Sequence, residues 1–346
     1  MLVKKDRLTR ALVKTAVEKA LRDLNSDPER TVRKAVDLAL NFSRGRFQQQ
    51  FFTCAQRMLE NENSAYYRLA RLLSTQVDPA HIKTFGVNLG YDGCTAGARS
   101  IRENEARLGC NIPWAITLRA RRDAGWIQTA ASIVHQGRAL GVHVYLLFGP
   151  EALDTAYLSL YERFFDCAFA LFVPAAAVLS CDLAAVSAAK NAMVCPACPD
   201  DALLARACAA MREKRMLYSV WVPYETPDAR MLLDAQRLAF YESLGGAFVL
   251  LQQRGCASDP ANQALYQQIV EIRNAQRYAY FLADLRCDLV EIDRIISDDA
   301  CYLALGPHGE ACSPAGAFSD ARFDAAQQPL TALLKSLCPK KPAAPV

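Results

Sequence analysis

The stretch "NIPWAITLRARRDAGWIQTA", residues 111–130, passes from a strand pattern to a helical pattern within a few residues. From here on, short apolar runs rich in β-branched and aromatic residues alternate with helical stretches. Each of these runs has the length and composition of a buried strand. They are WAITL (114–118), VHVYLLF (142–148), AFALFV (168–173), AMVC (192–195), LYSVWV (217–222) and AFVLL (247–251).

Helical patterns separate these strand candidates, at 202–214, 229–244 and 262–282 among others. Repeated strand–helix units predict parallel strands covered by helices on both faces, which explains why the runs are continuously apolar. Six units in succession favour an open or closed barrel, and a doubly wound open sheet is the alternative. In a barrel, chemistry would gather on the loops after the strands, at the C-terminal face.

Residues 1–110 predict a helical N-terminal region. Asp27, Pro28 and Glu29 have the order of an N-cap, a first-turn proline and a first-turn acid, and helical periodicity follows them. The stretch IKTFGVNLG (82–90) is apolar and fits either a strand or a helix. The chain thus changes its pattern close to residue 110.

After Leu285 we expect the strand–helix units to stop. The stretch CYLALGPHGEACSPAGAFSD (301–320) predicts a strand, a Gly-Pro turn and a cysteine-bearing loop, and PLTALLKSL (329–337) predicts a closing helix. The end, 339–346, has the prolines and small residues of a flexible tail. The predicted domains are 1–110, 111–285, 286–338 and this tail.

The composition is that of a globular chain able to bury a large core, with 346 residues, 52% hydrophobic and 22% charged. The least polar run, 167–181, is interrupted by Pro174 and followed by Asp182, so it is too short to span a bilayer. The basic N-terminus has no signal-peptide core. We therefore expect a cytoplasmic protein with no membrane partner.

The formal charge of +4 is concentrated in residues 1–24, which hold seven Lys or Arg and three acids, and 7 − 3 = 4. Such a helix could touch an anionic surface, either nucleic acid or lipid. The favoured interpretation is a solvated basic face opposite an apolar stripe formed by Leu8, Leu12, Ala16 and Leu24. Nucleic-acid binding is not expected, since no groove-reading motif accompanies the charge.

The thirteen cysteines are mostly expected to be reduced, small buried hydrophobes, as predicted for Cys54, Cys167, Cys208 and Cys287. Cys195 and Cys198 form a CxxC pair where the fourth strand ends, which could be half of a zinc site or a redox couple. No second pair has matching spacing, so structural cysteines are favoured. Completing a metal site would require Cys181, Cys301 or Cys312 nearby.

Three segments, GCNIPWAITL (109–118), QGRALGVHVYLLFGPEAL (136–153) and CYLALGPHGEACSPAGAFSD, resemble radical S-adenosylmethionine (SAM) proteins. The resemblance is to members with a helical N-terminal region and a SPASM or twitch-like C-terminal extension. It is clearest over 108–153 and 300–335, and colinear from about 30 to 330. The fold it implies is α/β: a partial TIM-like (β/α)6 barrel of radical SAM type, with the helical N-terminal region and a small C-terminal extension.

In that family a CxxxCxxC loop after the first strand holds three irons of a [4Fe-4S] cluster, and the fourth iron binds SAM. Here the strand ends at Leu118 and helical sequence resumes near Trp126, and residues 119–125 contain no cysteine. The family's Gly-Gly-Glu-Pro corresponds to Gly149-Pro150-Glu151-Ala152, where Pro150 removes a backbone donor. We therefore expect cluster and SAM binding to be lost, and no cofactor.

Two further family positions have changed. Val173-Pro174-Ala175 stands where a Thr-Asn-Gly-like turn follows the third strand, and the segment after the fourth strand is shortened to CPACPDD (195–201). In the C-terminal extension, Cys312 resembles a ligand of an auxiliary cluster, and Cys301 lies close to it in the sequence. Two thiols do not complete a four-ligand site.

A basic cluster, Arg119, Arg121 and Arg122, occupies the shortened first loop, and Glu151 is the acid expected beside it. At a barrel mouth these residues could bind a small anion, although a solvated loop is the favoured interpretation. The four histidines, His81, His135, His143 and His308, have no metal-ligand spacing, and no catalytic residue is assigned.

The leading hypothesis is therefore a catalytically degenerate radical-SAM-like protein, a pseudoenzyme that acts as a scaffold or binding partner for another protein or for copies of itself. The alternative is a residual enzyme or sensor at the barrel mouth. It would use a metal at Cys195, Cys198, Cys301 and Cys312, or a small anion at the arginines and Glu151.

Overall fold

In the computed structural model, which describes residues 2–24, 26–42, 45–225, 228–254, 260–297, 299, 301–313, 316–318 and 320–340, the chain before Asn111 is helical, as predicted. The stretch 82–90, which fitted either a strand or a helix, is helical. The elements are α1 (Leu2–Asp23), α2 (Pro28–Phe42), α3 (Arg46–Met58), α4 (Ala65–Gln76), α5 (Pro79–Val87), a π-helix (Asn88–Gly97) and α6 (Ala98–Leu108).

Local capping chemistry explains where two of these helices begin. The Asp27 carboxylate accepts a hydrogen bond from the backbone N–H of Arg30 at 3.0 Å, directly before α2, and this confirms the predicted N-cap. Asp78 caps α5 in the same way, accepting from the N–H of Ala80 at 2.8 Å. Each aspartate precedes a proline, whose fixed φ suits the first helical turn.

All six predicted strands are present, each within a few residues of its predicted position. They are β1 (Ala115–Arg119), β2 (Val144–Phe148), β3 (Ala168–Pro174), β4 (Ala192–Ala197), β5 (Val220–Tyr224) and β6 (Phe248–Gln253). The helices among and after them are α7 (Ala124–Leu140), α8 (Thr155–Arg163), α9 (Ala175–Ser180), α10 (Leu183–Ala188), α11 (Asp201–Glu213), α12 (Ala229–Leu232), α13 (Ala235–Leu244), α14 (Pro260–Ala275) and α15 (Leu285–Ser297).

Two helix predictions need correction. The helix predicted over 229–244 is divided into α12 and α13, because Asp234 caps a new helix by accepting from the N–H groups of Gln236 and Arg237. The helix predicted over 262–282 ends with α14, because the backbone turns left-handed at Gln276 (φ 55°). A seventh strand, β7 (Phe281–Asp284), then follows.

The strands are parallel and lie side by side in chain order. β1 pairs with β2, β2 with β3, and β3 with β4, while β5, β6 and β7 form a second set. A single parallel bridge between Val194 and Tyr218 links the two sets. A doubly wound sheet would reverse its strand order at a switch point, so this order is that of a barrel.

The strand–helix units continue past Leu285, which corrects the expected count of six. After α15, an eighth strand, β8 (Leu303–Leu305), pairs in parallel with β1. Two further strands follow, β9 (Ala311–Ser313) and β10 (Gly316–Ala317). β9 pairs antiparallel with β8, and β10 pairs antiparallel with β9. The predicted closing helix is α16 (Leu330–Leu337). The domain boundaries stay predictions, and 341–346 of the predicted tail lie outside the described residues.

The apolar stripe predicted on α1 is wrong in its first half. Leu8 and Leu12 are 65% and 62% exposed, whereas Arg10 faces the protein and bonds to Asp92 on the π-helix. The stripe prediction weighed hydrophobicity alone, but a buried carboxylate needs a cationic partner, and this requirement sets the rotation of the helix. Within the described residues, no helix is long and apolar enough to cross a membrane.

The cysteines differ from prediction in their burial and in their pairing. Cys54 is exposed on α3 and Cys287 is half-buried on α15, whereas Cys167 and Cys208 are buried as expected. Cys301 and Cys338, which the sequence did not pair, form a disulfide that ties the residues before β8 to the end of α16. This bond lies beside the entry to β1, where Asn111 donates its N–H to the carbonyl of Cys338 at 2.8 Å.

Replacing Cys338 by serine is expected to lower the free energy of unfolding by about 3 kcal/mol. The bond closes a loop with a sequence separation of 37, and without it the unfolded chain gains conformational freedom. Urea denaturation without reductant measures the loss. Cys54→Ser, at an exposed free thiol, is the control and should change little. Equal stability of Cys338→Ser and the parent protein would show that the disulfide does not restrain the chain.

Candidate functional site

The C-terminal ends of β1 to β4 meet on one face of the barrel, which is the mouth where barrel proteins place their chemistry. The strand register sets four residues side by side at this level. Arg119 is paired with Phe148, Phe148 with Phe172, and Phe172 with Cys195. This row therefore holds one exposed cation, two buried aromatic rings and one buried thiol.

Three aromatic rings pack together at this level. Phe148 and Phe172 are stacked with ring centroids 4.4 Å apart, and Trp221 of β5 meets them edge-on at 5.5 and 5.6 Å. The indole N–H of Trp221 donates to the side-chain oxygen of Gln252 on β6 at 2.9 Å. Offset and edge-on contacts of this kind add to the stabilisation from burial. The rings bridge the two sets of strands.

The loop after β1 is short and held by hydrogen bonds. The Tyr157 hydroxyl accepts from the Arg121 N–H at 2.8 Å and lies 3.1 Å from the Arg121 carbonyl. Asp123 caps α7 by accepting from the Trp126 N–H, and the Trp126 indole donates to the Arg119 carbonyl at 2.7 Å. These bonds tie the loop to α7, to α8 and to β1. Four residues separate β1 from α7, and none of them is a cysteine.

These residues do not fit the cofactor that the family resemblance implies. A [4Fe-4S] cluster of this kind needs three thiolates from the first loop, and that loop is occupied by its own capping bonds. Cys312 of β9 lies two strands from β1 in the register but is a single thiol. Cys195, in register with Phe172, is fully buried on β4, and burial raises its pKa. A buried apolar thiol resists the deprotonation that metal binding requires.

Two of the three predicted arginines have partners on the protein. Arg122 binds Asp154 through two parallel hydrogen bonds of 2.7 and 3.1 Å, and this partner raises the pKa of Arg122. Arg121 donates from Nη1 to Nδ1 of His308 at 2.7 Å. Both contacts are exposed, so each is worth little energy, but each holds its guanidinium on a different protein partner.

Arg119 and Glu151 complete the predicted anion site. Arg119 is exposed at the end of β1, and its charge acts on the thiol of Cys312, whose pKa burial nevertheless raises. Glu151 is half-buried in the short 3₁₀ turn Pro150–Leu153 that follows β2. All four predicted residues therefore reach the mouth face, but the three guanidiniums do not converge on one partner. The anion site stays a prediction.

The four cysteines predicted as metal ligands have different surroundings. Cys195 is buried, Cys198 is half-buried after β4, and Cys312 donates from Sγ to the Glu310 carbonyl at 3.6 Å. Cys301 is engaged in the disulfide and offers no thiolate. Among the residues that the structure describes, no group of three or more His, Cys, Asp or Glu side chains is placed to hold a metal.

A polar network at the ends of β5 and β7 was missed by the sequence reasoning. Asp284 is buried, accepts from the Tyr224 hydroxyl at 2.9 Å and accepts from the Cys287 N–H at 2.8 Å. The neighbouring Asp288 accepts from Arg273 and Tyr266 at 3.0 and 2.9 Å. These bonds cap α15 and join it to the strands, which is a structural role. The sequence feature that could have revealed this network is the acid at the end of FLAD (281–284). It was overlooked because a helix was predicted over 262–282.

A cavity lies away from the mouth, between α2 and α3. It has a volume of about 230 Å³. Its lining carries both signs of charge next to apolar side chains, so it has no preference for one class of ion. The lining residues are Arg33, Val36, Asp37, Gln56, Leu59 and Glu60.

Comparison with known proteins assigns no family. No protein-family model matches the chain, and no curated protein matches it. Three similar solved structures are of the tryptophan synthase alpha-subunit from Pyrococcus furiosus, two of them mutants, at 13% identity and TM-scores of 0.37, 0.37 and 0.38. The alignments cover 56% of this chain and 86% of that subunit. A likeness this low carries no argument about function.

Proposed function

We propose that this protein is a non-catalytic, radical-SAM-like barrel that serves as a scaffold or binding partner. The proposal rests on one observation: most side chains at the mouth are already packed against, or bonded to, other parts of the protein. Its rings Phe148, Phe172 and Trp221 pack on one another, and its cations Arg121 and Arg122 are engaged by His308 and Asp154. A catalytic mouth needs unengaged groups that converge on a reacting atom.

The backbone around the former SAM position supports the same proposal. Gly149, which follows β2, has a φ of 135°, and its N–H donates to the Phe172 carbonyl at 3.0 Å. Pro150 comes next and has no N–H to offer. Pro150 also restricts φ at the place where the family's backbone meets the SAM amino group. A protein that only binds a partner does not need Gly149 and Pro150 to hold SAM, so these positions can change.

The alternative proposal is a small anionic ligand at the mouth, and one observation favours it. Arg119 is exposed at the end of β1, in register with the aromatic pair, so an anion could reach its guanidinium. Against this, neighbouring cations are already directed to protein partners. The first proposal therefore accounts for more of the site.

Anaerobic reconstitution with iron and sulfide is expected to leave the protein without a stoichiometric four-iron cluster, because the first loop supplies no thiolate. Metal analysis and visible absorbance measure the result. SAM, and separately inorganic phosphate, should leave the melting temperature unchanged, since a ligand that binds only the folded state must raise it.

The variants Cys312→Ala and Arg119→Ala make these tests specific. A four-iron signal that persists in Cys312→Ala, or a SAM-dependent rise in melting temperature, would overturn the non-catalytic proposal. A phosphate-dependent rise that Arg119→Ala abolishes would overturn it in favour of the anion site. Unchanged behaviour of both variants under all three conditions supports the scaffold.

A further inference from the structure

The rotation of α1 about its axis is set by a buried ion pair. The Arg10 guanidinium binds the Asp92 carboxylate at 2.7 Å and donates to the side-chain oxygen of Asn88 at 2.9 Å. The side chains of Arg10 and Asp92 are 19% and 8% exposed. Leaving either charge buried without its partner would be strongly unfavourable, so this contact decides which face of α1 meets the protein.

The opposite face of α1 carries two exposed leucines. Successive residues of a helix are turned by about 100°, so Leu8 and Leu12, each two residues from Arg10, lie on the far side. Their exposed fractions of 65% and 62% agree with this geometry. Since they are four residues apart, they are neighbours on the helix surface. Burying Arg10 has thus placed an apolar pair in solvent.

Two cations, Lys19 and Arg22, continue along the same face, together with the exposed acid Asp23, which is eleven residues after Leu12. Lys19 is eleven residues after Leu8, close to three full helical turns, and both Lys19 and Arg22 are exposed. The acid Glu18 is engaged by Lys83 at 2.7 Å. The whole formal excess of positive charge lies in residues 1–24, so this segment is basic.

α1 lies at the end of the barrel opposite the mouth. Its partner Asn88, on the π-helix, donates to the carbonyl of Cys167, the residue before β3. The π-helix also meets the turn before β2, where Gly97 and Gly141 are in backbone contact. An attachment through α1 would therefore leave the mouth facing away.

We infer that the outer face of α1 is an attachment site for an anionic lipid surface. It combines an exposed pair of leucines with cations further along one helix, which is the pattern of helices that lie in the membrane interface. Anionic lipids complement the local positive charge. The inference departs from the expectation of no membrane partner, which rested on the lack of a membrane-spanning run and of a signal-peptide core.

A flat lipid surface fits this face better than a protein does. Protein interfaces concentrate their energy in anchors, often aromatic, that enter pockets, and the sequence of α1 contains no aromatic residue. Two leucines on a convex ridge can enter a fluid interface without a shaped partner. The inference extends the proposed binding role and does not depend on the mouth being inactive.

Flotation of the full-length protein with vesicles tests the inference. Vesicles of phosphatidylcholine with about 30% phosphatidylserine should bind it, and pure phosphatidylcholine should bind it at least tenfold more weakly. The double variant Leu8→Ala, Leu12→Ala should lower the partition coefficient by about tenfold or more, because the apolar contact is lost. Lys19→Glu with Arg22→Glu should lower it by a similar factor.

The matched control is Leu38→Ala with Met231→Ala, which removes two exposed apolar side chains from α2 and α12 and should not change vesicle binding. Thermal unfolding checks that every variant is folded. Failure of the parent protein to bind anionic vesicles would overturn the inference, as would equal losses in the control. A change of mass in solution caused by the leucine variant alone, without any loss of vesicle binding, would assign the face to self-association instead.

The two proposals can fail separately. Vesicle binding involves only residues of α1, whereas iron, SAM and phosphate are tested at the mouth. Absence of vesicle binding with an unreactive mouth would remove the lipid attachment and leave the scaffold proposal standing. Vesicle binding together with a SAM-dependent melting shift would keep the lipid attachment and overturn the non-catalytic proposal.

Discussion

Replacing Gly141 by alanine is expected to lower the free energy of unfolding by about 4 kcal/mol. Gly141 ends α7 with φ of 104°, a conformation that costs a residue with a side chain about 1–2 kcal/mol. The added Cβ would also lie 2.6 Å from the Gly97 carbonyl oxygen and 2.8 Å from the Ile101 nitrogen. These are backbone atoms, so α6 and the turn before β2 would have to separate, at a further cost of about 1–3 kcal/mol.

Urea denaturation of Gly141→Ala measures this loss, and Gly109→Ala is the matched control. Gly109 also ends a helix with positive φ, 72°, but a Cβ there would meet no atom within 4 Å. It should therefore cost only the conformational part, about 1 kcal/mol. Equal losses in the two variants would mean that the close approach of the two backbones is unimportant.

Replacing His81 by alanine is expected to remove about 4 kcal/mol of stability at pH 7. His81 is completely buried, its Nε2 donates to the Ala192 carbonyl at 2.7 Å, and its Nδ1 accepts from the Leu217 N–H at 3.2 Å. The ring thus joins α5 to both sides of the bridge between β4 and β5. Its removal would leave a buried donor and acceptor unpaired beside a cavity.

The same histidine makes stability depend on pH. Burial lowers the pKa of His81 from 6.5 to about 4, assisted by Lys190 and opposed by the hydrogen bond to Ala192. The unfolded chain therefore binds a proton at higher pH than the folded protein does. The stability from the neutral ring is complete above pH 6.5 and is lost as the pH falls through 4, by about 3 kcal/mol in all.

Free energies of unfolding measured between pH 7 and pH 4 check this prediction. The decline should be about 3 kcal/mol smaller in His81→Ala than in the parent protein. His143, whose pKa burial also lowers, contributes equally to both proteins and cancels in the difference. His135→Ala, at an exposed position on α7, should behave like the parent. Parallel pH profiles for the parent and His81→Ala would contradict the assignment.

The strands could be predicted because their signal is local. A run such as AFALFV (168–173) is continuously apolar and too short for a helix, and the structure has β3 there. The β7 strand was missed because aromatic residues in YAYFLAD (278–284) continue the helical spacing of α14. The left-handed Gln276 that separates the two elements has no strong preference for that conformation, so no residue marked the break.

The sequence predicted where the candidate site lies, but not which of its side chains are bonded to other parts of the protein. The order of strands placed Arg119, Arg121 and Glu151 on the same face, because parallel strands end together. Their partners could not be predicted, since Arg121 meets His308 across a separation of 187 residues. Whether a cation is engaged or available depends on such distant contacts.

The sequence by itself determined features that depend on neighbouring residues: the six strand runs, the cap at Asp27, and the loop without cysteines after β1. Hydrophobic spacing and backbone capping act over a few residues, so their signals are continuous along the chain.

The tertiary structure alone decided the features that join distant segments. Arg10 meets Asp92 across 82 residues and thereby turns Leu8 and Leu12 to solvent, and β8 closes on β1 from the far end of the chain. The disulfide between Cys301 and Cys338 belongs with them. Such pairings depend on which buried groups must be satisfied after the chain has folded, and that requirement leaves no periodic trace in the sequence.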